Sequence, residues 1–442
     1  MKLLLSLFLF TFSLIATGDE FDRAIQFPVE RYVLKNGMTV ILHEDHTIPE
    51  VSVNTWFRVG SKDEKVGRTG LAHFFEHMMF KGTKKYPKDT YGKFLNSKGA
   101  ELNAFTSNDY TGYYINLPSN HLELALDIES DRMRNLLLDP KEVNSEREVV
   151  KEERRMRYED SIQGGVREKM AEVMYKSLPY RWLPIGSMAD LNAATMDDLH
   201  AFYKTYYSPG NAVLVLAGDF KSEKAKELIE KYYGKIPKEI IPPVVAEPEK
   251  EQTEVRKAVI ERVAQAPTLA VAYPLPDLKN PDFYALDLLS VILGDGDSSR
   301  LHRRLVYHDE IATEVGAYSY GQVLGGAFHF NVQLKPGVDP NKALTKLEEE
   351  IAKVKNKKLT AKELEKARNA FFQSRVDSLK RTSGRANLLA EYEVLYGDYK
   401  RIFSEMANYK KVTAEEIQNV AKKYLVSQKK NIVVVMPKKG GA

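Results

Sequence analysis

The chain has 442 residues, 43% of them hydrophobic and 29% charged. These are ordinary globular values that exclude a disordered chain and a multi-span membrane protein. Sixty-five Lys and Arg against 61 Asp and Glu leave a formal charge of +4, spread along the chain, so nucleic acid is not an implied partner. There is no cysteine, which excludes disulfides, thiolate ligands and a cysteine nucleophile, and leaves His and carboxylates to hold any metal.

Residues 1–18 differ in kind from the rest. Lys2 gives a positive start, Leu3 to Ile15 an apolar core, and Ala16-Thr17-Gly18 a small-x-small cleavage pattern. The expectation is a secretory signal peptide cut after Gly18, and hence an exported, periplasmic or secreted protein. The apolar run is too short for a spanning helix, so no membrane span is expected after cleavage.

Apolar residues alternate on either side of Asn36-Gly37 between Arg31 and Asp45, which predicts a hairpin. Val51, Val53, Thr55, Phe57 and Val59 alternate as another strand. A charged loop from Ser61 to Arg68 follows, and Gly70 leads into a predicted helix from Leu71 to about Phe80. Further strands are predicted at Gly112 to Leu117 and Ala212 to Ala217, with helices between. Ile240 to Glu251, with Pro242, Pro243 and Pro248 among charged residues, reads as a semi-rigid linker.

The two sides of this linker end alike. Thr195 to Leu199, a helix through Tyr206 and a strand at Ala212 to Ala217 match Thr413 to Ile417, a helix through Tyr424 and a strand at Ile432 to Val435. Each copy starts with a Thr followed three residues later by an acid. The predicted fold is α+β: two similar α/β lobes from an internal duplication, each a mostly antiparallel sheet with helices packed on it, enclosing a space. Residues 19–238 form the expected first domain, 239–256 the linker and 257–442 the second domain.

In a helix, His73 and His77 of His73-Phe74-Phe75-Glu76-His77 stand four apart and project from one face, where both imidazoles can reach one ion. Glu76 shares that face. Leu71, Phe74, Met78 and Phe80 around them are apolar, and burying two imidazoles and a carboxylate with no partner would be costly. A catalytic zinc takes three protein ligands, so one more His, Asp or Glu is needed. The acidic stretch Lys141 to Arg157 is the place to look. At about 100° per residue, Val143, Val149, Val150 and Met156 define an apolar stripe, with Glu146 and Glu153 near its centre. Glu148, Glu152 and Glu159 point away, and Glu142 belongs to the first turn, where an acid suits the helix dipole. Glu146 and Glu153 are both candidates.

The motif resembles the inverted zinc motif of the pitrilysin and insulin-degrading enzyme family of metallopeptidases. The run His77-Met78-Met79-Phe80-Lys81-Gly82-Thr83 and the segment Asn103-Ala104-Phe105-Thr106 resemble it as well. The resemblance implies that His73, His77 and Glu153, 76 residues after His77, hold one Zn²⁺ per chain. It implies that Glu76 is the general base and Glu146 an additional acid behind the ligands. It further implies that Asn103, Ala104 and Phe105 lie on a sheet edge that pairs with a peptide substrate, with Tyr114 facing the cleft. The expected activity is a zinc metalloendopeptidase acting on oligopeptides or unfolded segments.

Complete sites in the family often take an Arg and a Tyr, seven apart, from the second half or a partner. The matching positions here are Val306 and Thr313. The expectation is a homo- or heterodimer with a related subunit supplying that pair. A non-catalytic structural subunit of the same fold is the alternative.

Overall fold

β-branched and aromatic residues at period two become eleven strands in two sheets among the described residues of the computed structural model, which are 26–88, 90–243 and 246–438. The expected signal peptide lies outside them. The first sheet holds β1 (Glu30–Val33), β2 (Thr39–Glu44), β3 (Glu50–Phe57), β4 (Glu101–Thr106), β5 (Thr111–Pro118) and β6 (Ala212–Gly218), in the order β1-β2-β6-β3-β5-β4. The second holds β7 (Arg256–Arg262), β8 (Thr268–Leu275), β9 (Ala312–Gln322), β10 (Gly325–Leu334) and β11 (Asn431–Pro437), in the order β7-β11-β8-β10-β9.

The duplication is visible in these orders. In each sheet the last strand in sequence inserts between earlier ones. β6 runs parallel to β2 and antiparallel to β3, as β11 does to β7 and β8. All other pairs are antiparallel. β6 reads Ala-Val-Leu-Val-Leu-Ala-Gly and is buried throughout, as a strand covered on both faces must be.

The two Thr-led helices have the same start in both halves. Thr195 accepts the Asp198 N–H at 3.2 Å while the Asp198 carboxylate accepts the Thr195 N–H at 2.8 Å, ahead of the helix Met196–Tyr206. Thr413 and Glu416 repeat this, at 3.1 and 2.6 Å, ahead of Ala414–Tyr424. Each reciprocal pair satisfies donors that a helix start leaves open. The hairpin at Asn36-Gly37 forms with a longer turn than two residues: Leu34 donates to the Met38 carbonyl, and Gly37 sits at φ +91°.

Each sheet is finished by a helix from the other half. Along β6, Leu214 and Leu216 face the helices of the first half, while Val213, Val215 and Ala217 face the other way. That second face, with Ile41 and Trp56, is covered by Ala386, Leu389 and Ala390 of the helix Thr382–Tyr396. In return, Val166, Met170 and Met174 of the helix Ile162–Met174 lie on Ala270, Ala272, Ala327, Val433 and Val435 of the second sheet. The alanines leave the depth that the methionines fill.

Between Tyr233 and Arg256 the described residues form no helix or strand. Glu249 within it is pinned, its carboxylate accepting the N–H groups of Lys176, Ser177 and Leu178 at 2.9 to 3.1 Å. A cavity of about 360 Å³ lies between the halves, walled by Asn108, Arg167, Tyr318, Tyr320 and His329. No helix of the described residues is long and apolar enough to cross a membrane.

Candidate metal centre

The helix Leu71–Met78 carries the motif. Leu71, Phe74, Phe75 and Met78 enter the first core, which turns His73 and His77 toward the acidic helix Pro140–Arg154. That helix starts on Asp139, whose carboxylate accepts the Lys141 and Glu142 N–H groups, with Pro140 at its first position. Its buried face is made of Val143, Glu146, Val150 and Arg154.

The apolar stripe expected there needs correction, since Val149 is 49% and Met156 is 64% exposed. Residues Arg155–Glu159 form a π-turn, in which Asp160 donates to the Arg155 carbonyl at 2.9 Å. Met156 lies in this wider turn, out of the 100° phase, while Val149, ahead of it, stands about 100° from Val150 and so falls off the buried face. Glu146 is buried and Glu153 half-buried, while Glu148 and Glu152 face solvent. Glu142 is also at the surface, paired with Lys88 at 2.6 Å.

His73, His77 and Glu153 come together. Glu153 Oε1 is 3.7 Å from His73 Nε2, and its Oε2 is 3.2 Å from His77 Nε2. The three donor atoms all lie within 4.8 Å of one another. Ligands about 2.0 to 2.1 Å from a tetrahedral zinc stand roughly 3.3 Å apart, so both the spacing and the two-imidazole, one-carboxylate donor set fit that ion. His73 Nδ1 is buried with no hydrogen-bond partner.

Glu146 is not part of this convergence. It sits behind His77, whose Nδ1 donates to its Oε1 at 2.8 Å, and Lys81 forms an ion pair with its other oxygen. Glu76 stands beside the ligands, its Oε2 accepting a 2.6 Å hydrogen bond from the Thr106 hydroxyl at the end of β4. Arg157 reaches back to Glu153 at 2.9 Å.

The electrostatics match this geometry. Burial, with the nearby His77, lowers the His73 pKa to about 4, so its ring stays neutral with a lone pair to give. Burial opposes charge on His77 as well, but hydrogen bonds to Glu146 and Glu153 raise its pKa to about 9. A cationic centre is therefore already favoured between these carboxylates. Glu146 and Glu153 are held below the ordinary range despite burial, through His77 and, for Glu146, Lys81. Burial raises the Glu76 carboxyl, against the pull of Thr106 and His77.

Among the described residues β4 is an edge strand, paired only with β5. Ala104 and Thr106 turn toward the motif helix. Asn103 and Phe105 turn to the opposite face, where Phe105 meets the Trp56 ring edge-on at 4.9 Å. Tyr114 is the cross-strand partner of Asn103, so it shares that opposite face and does not reach the metal ligands. Its neighbour Tyr113 faces the motif helix instead, its hydroxyl 3.3 Å from the Phe75 carbonyl.

Sequence reasoning gave Lys81 and Arg157 no role and read Thr106 only as the end of the Asn103 to Thr106 sheet edge, not as a partner of Glu76. Lys81 carried a signal, standing four residues beyond His77; the contacts of the other two are known only through space. At the positions expected for an Arg and a Tyr, Val306 packs against the second core and Thr313 bonds the Gln333 carbonyl at 3.3 Å. Arg304 is held by Asp309 at 3.0 Å and Glu349 at 3.2 Å.

Two family models match the chain. Insulinase (peptidase family M16) covers residues 39–181, and the peptidase M16 inactive domain covers residues 193–371. The chain belongs to peptidase family M16. His73, Glu76, His77, Glu146 and Glu153 all fall in the first matched segment. The zinc protease PqqE of Helicobacter pylori is 30% identical over 92% of this chain and 93% of its own. YmxG of Bacillus subtilis, described as an uncharacterized zinc protease, is 26% identical over 89% and 95%. Among solved structures, a protease from Helicobacter pylori superposes with a TM-score of 0.89 at 29% identity, over 93% of this chain and 99% of that one. The first half of the periplasmic protease PqqL from Escherichia coli shares the fold, with a TM-score of 0.74 at 21% identity over 92% of each chain.

Proposed function

We propose that this M16 chain is a zinc-dependent endopeptidase for oligopeptides or unfolded segments. The observation that carries the reading is the meeting of His73, His77 and Glu153 at one point with Glu76 beside them. Bound Zn²⁺ would supply Lewis acidity toward water and the scissile carbonyl. Glu76 takes a proton from the attacking water and passes it to the leaving amine. Thr106 holds the Glu76 carboxylate in place. Glu146 accepts the Nδ1 proton of His77, which leaves the Nε2 lone pair directed at the ligand position. The open edge of β4 pairs with the backbone of an extended peptide, which makes binding tolerant of sequence.

In this reading residues 19–238 carry the chemistry and residues 257–442 complete the enclosure. The signal-like start, together with a periplasmic neighbour of the same fold, supports export to the periplasm. With Val306 and Thr313 where an Arg and a Tyr are expected, a second copy of this chain would lack the pair too, so a related but different subunit supplies it, in a heterodimer.

The test is Glu76→Gln in the zinc-loaded protein. It is expected to keep one zinc per chain while peptide hydrolysis falls by roughly a hundredfold or more. Full activity in that variant, or in chelator-treated wild type, rejects the assignment. For the partner, peptide cleavage by the chain alone is expected to rise when a related subunit is added. A rate unchanged by any such subunit rejects it.

A further inference from the structure

The motif helix begins without the usual device. Gly70 stands at its N-cap with φ +92° and has no side chain to accept from the first turn. No capping residue could replace it, because a Cβ there would lie 2.8 Å from the Ile185 carbonyl oxygen and the backbone is left-handed. The open N–H groups of this buried helix start must be satisfied from elsewhere. Glu64, six residues upstream, does so: Oε2 accepts the Gly70 N–H at 2.9 Å and Oε1 the Ala72 N–H at 2.8 Å. The residue is 7% exposed. Its loop is fixed in turn, since Asp63 accepts the Gly60 N–H at 2.9 Å and Lys62 bonds Asp63 at 2.6 Å.

From this clamp we infer that Glu64 is a positioning residue of the metal centre, setting the rotation of the helix so that His73 and His77 meet Glu153. The inference rests on the zinc peptidase reading above. The helix has 8 residues, too few to hold its own phase, and His73 directly follows the clamped Ala72. A rotation of about 10° moves a group about 6 Å from the axis by about 1 Å, more than the roughly 0.5 Å that a metal site tolerates. The far end of the helix is held separately, through His77, Glu146 and Lys81.

The test compares wild type, Glu64→Gln, Glu64→Asp and, as a control, Glu363→Gln, which weakens the capping box at Thr360 in the other half. Gln keeps the size but turns an NH₂ group toward one of the two donors. Zinc affinity by chelator competition, kcat and KM on a peptide, and hydrogen exchange of residues 70–78 are measured on the full chain. Glu64→Gln is expected to weaken zinc binding roughly tenfold or more and to lower kcat, with KM within about twofold and faster exchange confined to the motif helix. Glu64→Asp, which reaches one donor, should fall between it and wild type. Glu363→Gln should lower Tm and leave zinc affinity unchanged. Wild-type zinc affinity in both Glu64 variants overturns the inference, as do losses that only track the unfolded fraction. Failure of the underlying reading shows separately, as wild type without stoichiometric zinc, and removes this inference with it.

Discussion

Thr106 contributes one hydroxyl to the candidate site, donated to Glu76 at 2.6 Å. A carboxylate that must accept and then deliver a proton gains from being held in one rotamer. Thr106→Val keeps the β-branched shape and the edge strand while removing the donor. It is expected to lower kcat by about tenfold, with zinc content unchanged and KM little affected. Steady-state kinetics with metal analysis decides this; an unaltered kcat would show that Glu76 needs no such support. At this scale the sequence was partly legible. The i, i+4 spacing was enough to bring His73 and His77 onto one face, and resemblance singled out Glu153 from two candidates. Thr106 reaches Glu76 from the end of β4 and Glu64 reaches the helix start from a loop, and no spacing along the chain encodes either contact.

Among the elements, the paired strands β9 and β10 carry a pH response. His329 stacks on Tyr318 with ring centroids 4.8 Å apart, in the cavity between the halves. Burial, then the charge of Arg167, lowers its pKa to about 4 from the ordinary 6.5. The folded chain therefore resists a proton that the unfolded chain accepts, so stability falls as pH drops from 6.5 toward 4. The contribution of this group is about 3 kcal/mol across that window. Urea unfolding at several pH values should show a shallower slope in His329→Gln than in wild type; equal slopes would assign the response to other groups. Elements were the level at which periodicity both worked and failed. β5, β6 and the two Thr-capped helices follow from alternation and capping signals. The acidic helix follows only in part: its buried face is centred on Val143 and Val150, which leaves Val149, about 100° from Val150, at the surface, and Met156 lies in the π-turn at Arg155–Glu159, out of phase with the helix before it.

For the molecule as a whole, the exchanged helices decide how it holds together. Glu393 of the helix Thr382–Tyr396 is 1% exposed and accepts from Arg31 of β1 at 2.8 and 3.2 Å. Each half packs a core of its own on one face of its sheet, but the other face is covered only by a helix of the opposite half. Residues 26–238 produced alone would expose Ile41, Trp56, Val213 and Val215 together, a patch that drives aggregation. The expectation is that each half is insoluble or molten when made alone. The intact chain should unfold in a single transition with matching calorimetric and van't Hoff enthalpies. Two resolved transitions would contradict this. The duplication could be read from the chain. The exchange could not, because amphipathic patterning states which face of a helix is apolar and not which sheet will receive it.

The same exchange changes what the proline-rich segment between the halves is for. If association is carried by two helices that each grip the opposite sheet, the connection between the halves sets the local concentration of one half near the other. It adds little to the grip itself. A protease cut within this segment would then leave a nicked molecule whose two fragments migrate together until denaturant is added, and which keeps the candidate metal centre, since His73, His77 and Glu153 belong to one fragment.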